Sequence, residues 1–379
     1  MTIHRKIKVV HIIRDQKFSE GTVKHFEDDG RFENECILVT KSPNYFFKYI
    51  KEPNKVKLLY SKQMVKEYLR SDYDVIFFHS LLDYHLFNYI PDDKVVIWWI
   101  WGDDLYGRDR FIDIALYKPL THKYLNTQCH TLVAIIRELL KSVPFLLDLK
   151  HGSRKRAIKR IDYVQPIVHY EFELLSRING FHAKEFYYPG SRGTYFNYDV
   201  EHKQHNGKII IGNSASLTNN HLDVCNSIEP YIPSSSEVII PISYGDMNYA
   251  QVIESSIKLN GNVKFLKDYM PIDAYNSLLV SCSYAVYGVI RQQAQGNIYR
   301  CLASGVKVFL YKDSILFHYL TELGCVIYAI EDINELSFRE PLSVEDAKKN
   351  QLALSKEYDM VEKVREQSIA ELQYRLLNN

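Results

Sequence analysis

Val95-Val96-Ile97-Trp98-Trp99-Ile100-Trp101-Gly102-Asp103-Asp104-Leu105-Tyr106-Gly107 is an apolar, β-rich run that stops at a glycine and two carboxylates, and it holds all three tryptophans of the chain. Near-continuous apolar runs are what parallel strands buried on both faces require. Polar residues at the carboxyl end of such a strand mark the crevice where open α/β sheets take their ligands. The run therefore predicts a buried parallel strand that delivers polar residues to a binding edge.

Similar short runs lie on both sides of it. In the first half they are Lys8–Ile13, Cys36–Thr40, Val56–Tyr60 and Val75–His79. In the second half they are Lys208–Ile211, Val238–Ile242, Val263–Leu266, Tyr284–Val289, Val306–Tyr311 and Val326–Ile330. Helix-length segments separate many of them: Gly21–Glu27, Asn220–Glu229, Tyr249–Leu259, Ile272–Leu279, Gln293–Ala303 and Ile315–Leu323. Strand–helix alternation implies parallel sheets with right-handed crossovers. The polar segment Gly190–Gly207 has little periodicity and reads as a boundary. The expected organisation is α/β: a doubly wound domain over residues 1–195 and a second over 205–342, facing each other across a cleft. A C-terminal helix over 343–379 opens at the capping-box sequence Ser343-Val344-Glu345-Asp346 and packs on the body.

At 379 residues the chain exceeds what one compact core usually serves. The net charge of +1 gives no global attraction to nucleic acid, so any polyanion site must be local. Six cysteines, at 36, 129, 225, 282, 301 and 325, have no CxxC spacing and read as reduced core residues. No His-Glu-x-x-His pattern and no strand-end Asp-x-Asp occurs, so no metal is expected. The polar, basic start Met1–Lys8 does not read as a signal peptide, and no 18-residue uncharged apolar stretch predicts a spanning helix. No strand opens into Gly-x-Gly-x-x-Gly, which argues against a dinucleotide-dependent oxidoreductase.

Three strand-to-helix turns of the second half carry anion-binding chemistry. Ile211-Gly212-Asn213-Ser214 leads through small residues into a helix whose N-terminal amides suit a phosphate. Pro241-Ile242-Ser243-Tyr244-Gly245 presents Tyr244 to stack on a base or sugar. The run from Arg291 through Gln292, Gln293 and Gly296 to Asn297 supplies a permanent cation and neutral donors. These donor-side candidates are neutral or cationic, as an anionic diphosphate requires. In the first half, His79, Asp103 and Asp104 end two strands; a carboxylate or imidazole there takes a proton from an acceptor hydroxyl, with Asp104 ranked first and Asp103 second. His11, Asp15, Trp101, Gly102 and Tyr106 are the acceptor-side candidates. Residues 129–160 combine a helical apolar face with Lys150, Arg154, Lys155, Arg156, Lys159 and Arg160, a pattern that suits an anionic lipid surface.

These blocks, in this order, resemble the bacterial 4-acetamido-4,6-dideoxygalactosyltransferases of enterobacterial common antigen synthesis. Phe77-Phe78-His79 is similar to that family's Phe-Phe-His strand end, and Ile100-Trp101-Gly102-Asp103-Asp104-Leu105-Tyr106 to its Ile-Trp-Gly-x-Asp-Leu-Tyr block. Ile211-Gly212-Asn213-Ser214 with Asn219-Asn220-His221, Pro241 with Tyr244, and Arg291-Gln292-Gln293 with Gly296 have counterparts too, as does Thr22-Val23-Lys24-His25-Phe26. Ala294 and Gln295 depart from the family's Gly-Ile, which bears on the identity of the donor sugar. The resemblance implies a metal-independent glycosyltransferase of the GT-B type, without a cofactor. It implies transfer of Fuc4NAc or a related deoxy-amino sugar from a dTDP- or other nucleotide-sugar to an undecaprenyl-diphosphate-linked saccharide. It places the protein in the cytoplasm, peripheral on the inner face of the membrane. A GT-B-like sugar-nucleotide epimerase and a non-catalytic nucleotide-sugar-binding scaffold are the alternatives.

Overall fold

The computed structural model describes residues 5–16, 19–27, 29–107, 110–128, 152–188 and 198–378. They form two compact units, each built on one parallel sheet. Unit 1 comprises Met1–Ile114, Ile136–Arg192 and Met360–Asn379; unit 2 comprises Ala115–Ile135 and Gly193–Asp359.

Unit 1 runs β1 (Ile7–Ile12), α1 (Ser19–Glu27), β2 (Phe32–Val39), β3 (Val56–Leu59), α2 (Lys62–Tyr68), β4 (Val75–His79) and β5 (Val95–Trp99). The chain then contributes α3 (Pro119–Gln128) to unit 2. It resumes in unit 1 with α4 (Arg154–Arg160), β6 (Tyr163–Gln165), α5 (His169–Ser176) and β7 (Lys184–Glu185). The strand order is β3-β2-β1-β4-β5-β6-β7 and every pairing is parallel. β4 and the first four residues of β5 are wholly buried, which is why their sequences are continuously apolar. Trp98, fully buried, is among the largest side chains in this core.

Unit 2 runs β8 (Ile209–Ile211), α6 (His221–Ile228), β9 (Glu237–Pro241), α7 (Met247–Ser256), β10 (Asn262–Leu266), α8 (Ile272–Ser281), β11 (Tyr284–Tyr287), α9 (Gln295–Ala303), β12 (Lys307–Leu310), α10 (Ile315–Glu322) and β13 (Tyr328–Ala329). Its order is β10-β9-β8-β11-β12-β13, again parallel throughout. In both sheets the order reverses beside the first strand, between β1 and β4 and between β8 and β11. Those switch points are where neighbouring connections diverge and leave a crevice.

The units depart from a single cut in the sequence. Residues 115–135 cluster with unit 2 because Asp223 caps α3: its carboxylate accepts from Leu120 N (2.7 Å), Thr121 N (2.9 Å) and Thr121 Oγ1 (2.7 Å). The last helix, α11 (Val344–Asn378), is shared between the units. Ser343 Oγ accepts from Asp346 N at 3.0 Å, as a cap should. Within unit 2, Glu357 takes the hydroxyls of Tyr299 (2.9 Å) and Tyr319 (2.6 Å). Within unit 1, Ile369 and Leu372 join the hydrophobic core.

Cys225, Cys282, Cys301 and Cys325 are buried free thiols and Cys36 is half-buried and free; Cys129 lies outside the described residues. Most of the apolar stretch read at 129–160, with Lys150, also lies outside them. No described helix is long and apolar enough to cross a membrane.

Candidate functional site

In unit 2 the three expected turns meet at the β8/β11 switch point. Gly212 follows β8 in a left-handed conformation (φ +68°) and its N–H completes the ladder to Val286 O at 2.8 Å. A β-carbon at Gly212 would lie 2.5 Å from His221 Nε2, so the glycine lets the imidazole pack beneath the turn. The Gly212 and Tyr244 turns are laced together. Ala215 N donates to Tyr244 O (2.8 Å), Asp246 N donates to Ala215 O (3.1 Å), and Asn213 Nδ2 donates to the Tyr244 hydroxyl (3.1 Å). Gly245 passes so close to Ala215 that a β-carbon there would fall 2.6 Å from its carbonyl carbon.

The Arg291 segment joins the same group. Thr218 Oγ1 donates to Gln293 Oε1 at 2.6 Å, and Asn220 Nδ2 to Gly288 O at 2.7 Å. Arg291 is half-buried and donates to Gln292 O at 3.0 Å. Asn297, in the first turn of α9, donates to the Tyr275 hydroxyl at 3.3 Å. Gly296 is exposed beside it, Gln292 is buried, and Ser214 is buried with its hydroxyl accepting from Asn219 Nδ2 at 3.2 Å. Tyr244 keeps 44% of its surface exposed. The result is three turns joined by hydrogen bonds at the carboxyl edge of one sheet, with Tyr244, Arg291 and the first turn of α9 among them.

His221 was not among the sequence candidates. It is fully buried, and neither ring nitrogen has a hydrogen-bond partner among the described residues. Burial depresses its pKa to about 3, so the ring is neutral. The glycine ahead of it was the only trace of this packing in the sequence.

In unit 1 the residues ending β1, β4 and β5 gather at the other switch point. The two neighbouring carboxylates, ranked Asp104 then Asp103 from the sequence, have different surroundings. Asp104 is wholly buried. Its oxygens accept from Trp98 Nε1 (2.6 Å), Leu81 N (2.7 Å) and Trp101 N (2.9 Å). Burial of the Trp98 indole demands an acceptor for its N–H, and Asp104 supplies it. Burial, with the nearby Asp103 charge, raises the Asp104 pKa to about 6 against the pull of those three donors. In this structure its oxygens serve those three donors and are closed to solvent, the geometry of a positioning residue.

Asp103 is 42% exposed at its side chain, pairs with Arg14 Nη1 at 2.5 Å, and accepts from Ser80 Oγ at 3.2 Å. Arg14 also donates to Ser80 Oγ at 3.1 Å. Arg14 was missed in the sequence because nothing but its place after β1 marks it. Ser80 sits at φ +69°, a strained value for a non-glycine residue, immediately after His79.

His79 and His11 are buried side by side: His11 Nδ1 lies 2.9 Å from His79 Nε2, and His11 Nε2 lies 3.0 Å from Asn34 Oδ1. Burial lowers His11 to about 4 and holds His79 well below the usual histidine range, so both rings are neutral near pH 7. Trp101 is half-buried with its ring centroid 6.2 Å from that of His79 in a T-shaped arrangement, and Gly102 makes the turn at φ +85°.

Two acceptor-side candidates are held by hydrogen bonds within unit 1. Tyr106 is buried and donates to Glu171 Oε1 at 2.9 Å. Asp15 accepts from the consecutive amides of Lys48 (2.5 Å), Tyr49 (2.9 Å) and Ile50 (3.1 Å), so it staples a loop. The basic helix α4 is partly committed as well. Arg160 donates to Pro91 O (2.8 Å), Lys94 O (2.6 Å) and Asp162 (2.9 Å), and Arg154 donates to Arg110 O. Lys155, Arg156 and Lys159 remain exposed, with Arg156 reaching Asn88. Among the described residues no group of three or more His, Cys, Asp or Glu side chains is arranged to hold a metal ion.

Solved structures share this architecture. Anabaena HepE in complex with UDP and glucose matches with a TM-score of 0.54 at 12% identity, covering 96% of this chain and 98% of that one. An alpha,alpha-trehalose-phosphate synthase (UDP-forming) from Burkholderia vietnamiensis matches with a TM-score of 0.55 at 10% identity, covering 98% and 100%. The fold is that of the GT-B glycosyltransferases, two Rossmann-type units with a C-terminal helix, and the protein is a glycosyltransferase. The family profile described as 4-alpha-L-fucosyltransferase glycosyl transferase group 56 matches residues 155–358, more than half of the chain. The chain belongs to that family, and the matched span contains all three laced turns of unit 2.

Proposed function

We propose that unit 2 binds a nucleotide-sugar and that the enzyme transfers its deoxy-amino sugar, Fuc4NAc or a relative, to a lipid-linked saccharide in bacterial surface polysaccharide synthesis. The observation that carries the donor half is the hydrogen bonding that joins the Gly212, Tyr244 and Arg291 segments at the carboxyl edge of the second sheet. HepE, similar in fold, is in complex with UDP and glucose, which supports the same ligand class here.

In this reading the diphosphate sits against the amides of Asn213 and Ser214 and the N-terminus of α9, with Arg291 meeting its charge. Gln292, Gln293, Gly296 and Asn297 shape the sugar side, and Tyr244 stacks on the nucleoside. Preorganised donors of this kind stabilise the leaving diphosphate without reorganising during the reaction. They take the place of a metal ion, so the reaction is metal-independent and uses no cofactor. Unit 1 receives the undecaprenyl-diphosphate-linked acceptor through Trp101, Gly102 and the Arg14–Asp103 pair. An acceptor hydroxyl oxygen attacks the anomeric carbon, the bond from that carbon to the diphosphate oxygen breaks, and Asp103 takes the hydroxyl proton. Asp104 fixes Trp101 and the turn that carries Asp103. The His11–His79 pair holds the end of β4 next to Ser80. The enzyme works in the cytoplasm on the inner face of the membrane.

The test is a panel of dTDP-, UDP- and GDP-sugars incubated with a lipid-linked saccharide and read by mass spectrometry. A gain of one sugar residue by the acceptor supports the reading. An isomerised free donor with unchanged acceptor indicates an epimerase, and an untouched donor that still binds indicates a scaffold.

A further inference from the structure

The loop between β2 and β3 has a composition that its fold does not explain. Residues 41–55, Lys-Ser-Pro-Asn-Tyr-Phe-Phe-Lys-Tyr-Ile-Lys-Glu-Pro-Asn-Lys, carry four lysines against one glutamate, in a chain whose net charge is only +1. Phe46 is 89% exposed, the most exposed large apolar side chain described. Tyr49, Lys41, Lys48 and Lys51 of the same loop are exposed too, with Lys48 Nζ 5.0 Å from the Tyr49 ring centroid.

The loop is held firmly from below. Three successive amides, at 48, 49 and 50, converge on the Asp15 carboxylate. Phe47 and Ile50 pack into a small core with Ile13 and Val23. The tip therefore presents Phe46 outward by construction, because its neighbour Phe47 is the anchored ring.

The same loop walls an open cleft of about 560 Å³ at the carboxyl edge of β1 and β2, lined by Ile13, Arg14, Leu38, Tyr45 and Tyr49. Arg14 belongs also to the Asp103 cluster, so the loop adjoins the acceptor-side site. An exposed aromatic in one short loop with three exposed lysines matches the boundary of an anionic bilayer, where apolar rings enter at the headgroup level and basic side chains meet phosphates.

We propose that the 41–51 loop is the element by which this glycosyltransferase rests on an anionic phospholipid surface, with Phe46 entering the headgroup boundary and Lys41, Lys48 and Lys51 meeting lipid phosphates. The proposal rests on the reading that the acceptor is lipid-linked, and it moves the membrane contact from α4 to the sheet edge that carries Asp103.

The experiment is vesicle co-sedimentation of the full chain, with phosphatidylglycerol-containing vesicles against pure phosphatidylcholine. The native protein is expected to prefer the anionic vesicles. Phe46→Ser should lower partitioning about tenfold or more, and a Lys41→Gln, Lys48→Gln, Lys51→Gln triple variant on the order of 100-fold at low salt. A Lys155→Gln, Arg156→Gln, Lys159→Gln variant should bind as the native protein does. Thermal shift with dTDP confirms that each variant is folded and keeps its nucleotide response. Native-like binding by both loop variants, or no native binding to phosphatidylglycerol, overturns the proposal. Native protein that transfers sugar to a soluble acceptor yet ignores vesicles sinks the membrane contact and leaves glycosyl transfer standing. Loop-dependent vesicle binding with no transfer to any acceptor does the reverse.

Discussion

Gly212→Ala tests the architecture of the donor crevice at one atom. Two costs add. The native φ of +68° is a left-handed value, which costs an L-residue about 1–2 kcal/mol. The new methyl would also lie 2.5 Å from His221 Nε2 and 3.2 Å from its Cε1, well inside contact distance. The imidazole is fully buried at the start of α6, so it has nowhere to swing. Overpacking of this kind costs about 1–3 kcal/mol. The expected total is about 2–5 kcal/mol of stability, with loss of dTDP binding. The steric part disappears when His221 is truncated. In a His221→Ala background the Gly212→Ala cost should fall to the backbone strain, about 1–2 kcal/mol, a coupling of about 1–3 kcal/mol. Guanidinium denaturation followed by circular dichroism on the four proteins measures this cycle. An equal cost in both backgrounds would refute the packing of Gly212 on His221.

Asp104→Asn tests the buried carboxylate through pH. The folded pKa is raised from 3.8 to about 6, so the folded protein binds this proton more tightly than the unfolded chain does. Relative to Asp104→Asn, the native protein should gain about 3 kcal/mol of stability as pH falls from above 6 to below 3.8, the unfolded value. A flat difference curve contradicts the burial. Asp103→Asn should lower kcat about 10²- to 10⁴-fold with unchanged dTDP affinity, by steady-state kinetics and calorimetry; a fall in affinity instead would place Asp103 elsewhere in the scheme. Arg291→Lys keeps the charge and loses the fork, and should weaken dTDP binding about tenfold or more in a calorimetric titration. Ala294 begins α9 at φ +58°, so Ala294→Gly should stabilise the protein by about 1 kcal/mol in thermal or chemical melts.

The longer strands were legible because burial on both faces leaves a continuous apolar signature, as in Val75–His79 and Val95–Trp99. β6 and β7, of three and two residues, are too short to carry a period, and they extend the first sheet beyond the five strands read from sequence. α2 and α5 were passed over too, although Ser61, whose hydroxyl accepts from Met64 N, is a visible cap for α2. The residue types of the donor turns were legible, and so was their place after β8, β9 and β11. The Asp103–Asp104 assignment was not, since adjacent carboxylates look alike until one is seen to serve Trp98. A buried indole needs an acceptor, and that requirement was the available clue. The capping of α3 by Asp223 joins residues about one hundred positions apart, and no local pattern announces it. Ala294 is instructive in the other direction. The glycine found there in the resembling family suits the left-handed φ that the structure shows at this residue.

A nucleotide complex tests the central claim most directly. A crystal structure with dTDP should place the diphosphate within hydrogen-bond reach of the Asn213 and Ser214 amides and the Arg291 guanidinium, with the Tyr244 ring against the nucleoside. A diphosphate held at the Arg14–Asp103 cluster of the other unit, with the Gly212 turn empty, would contradict it.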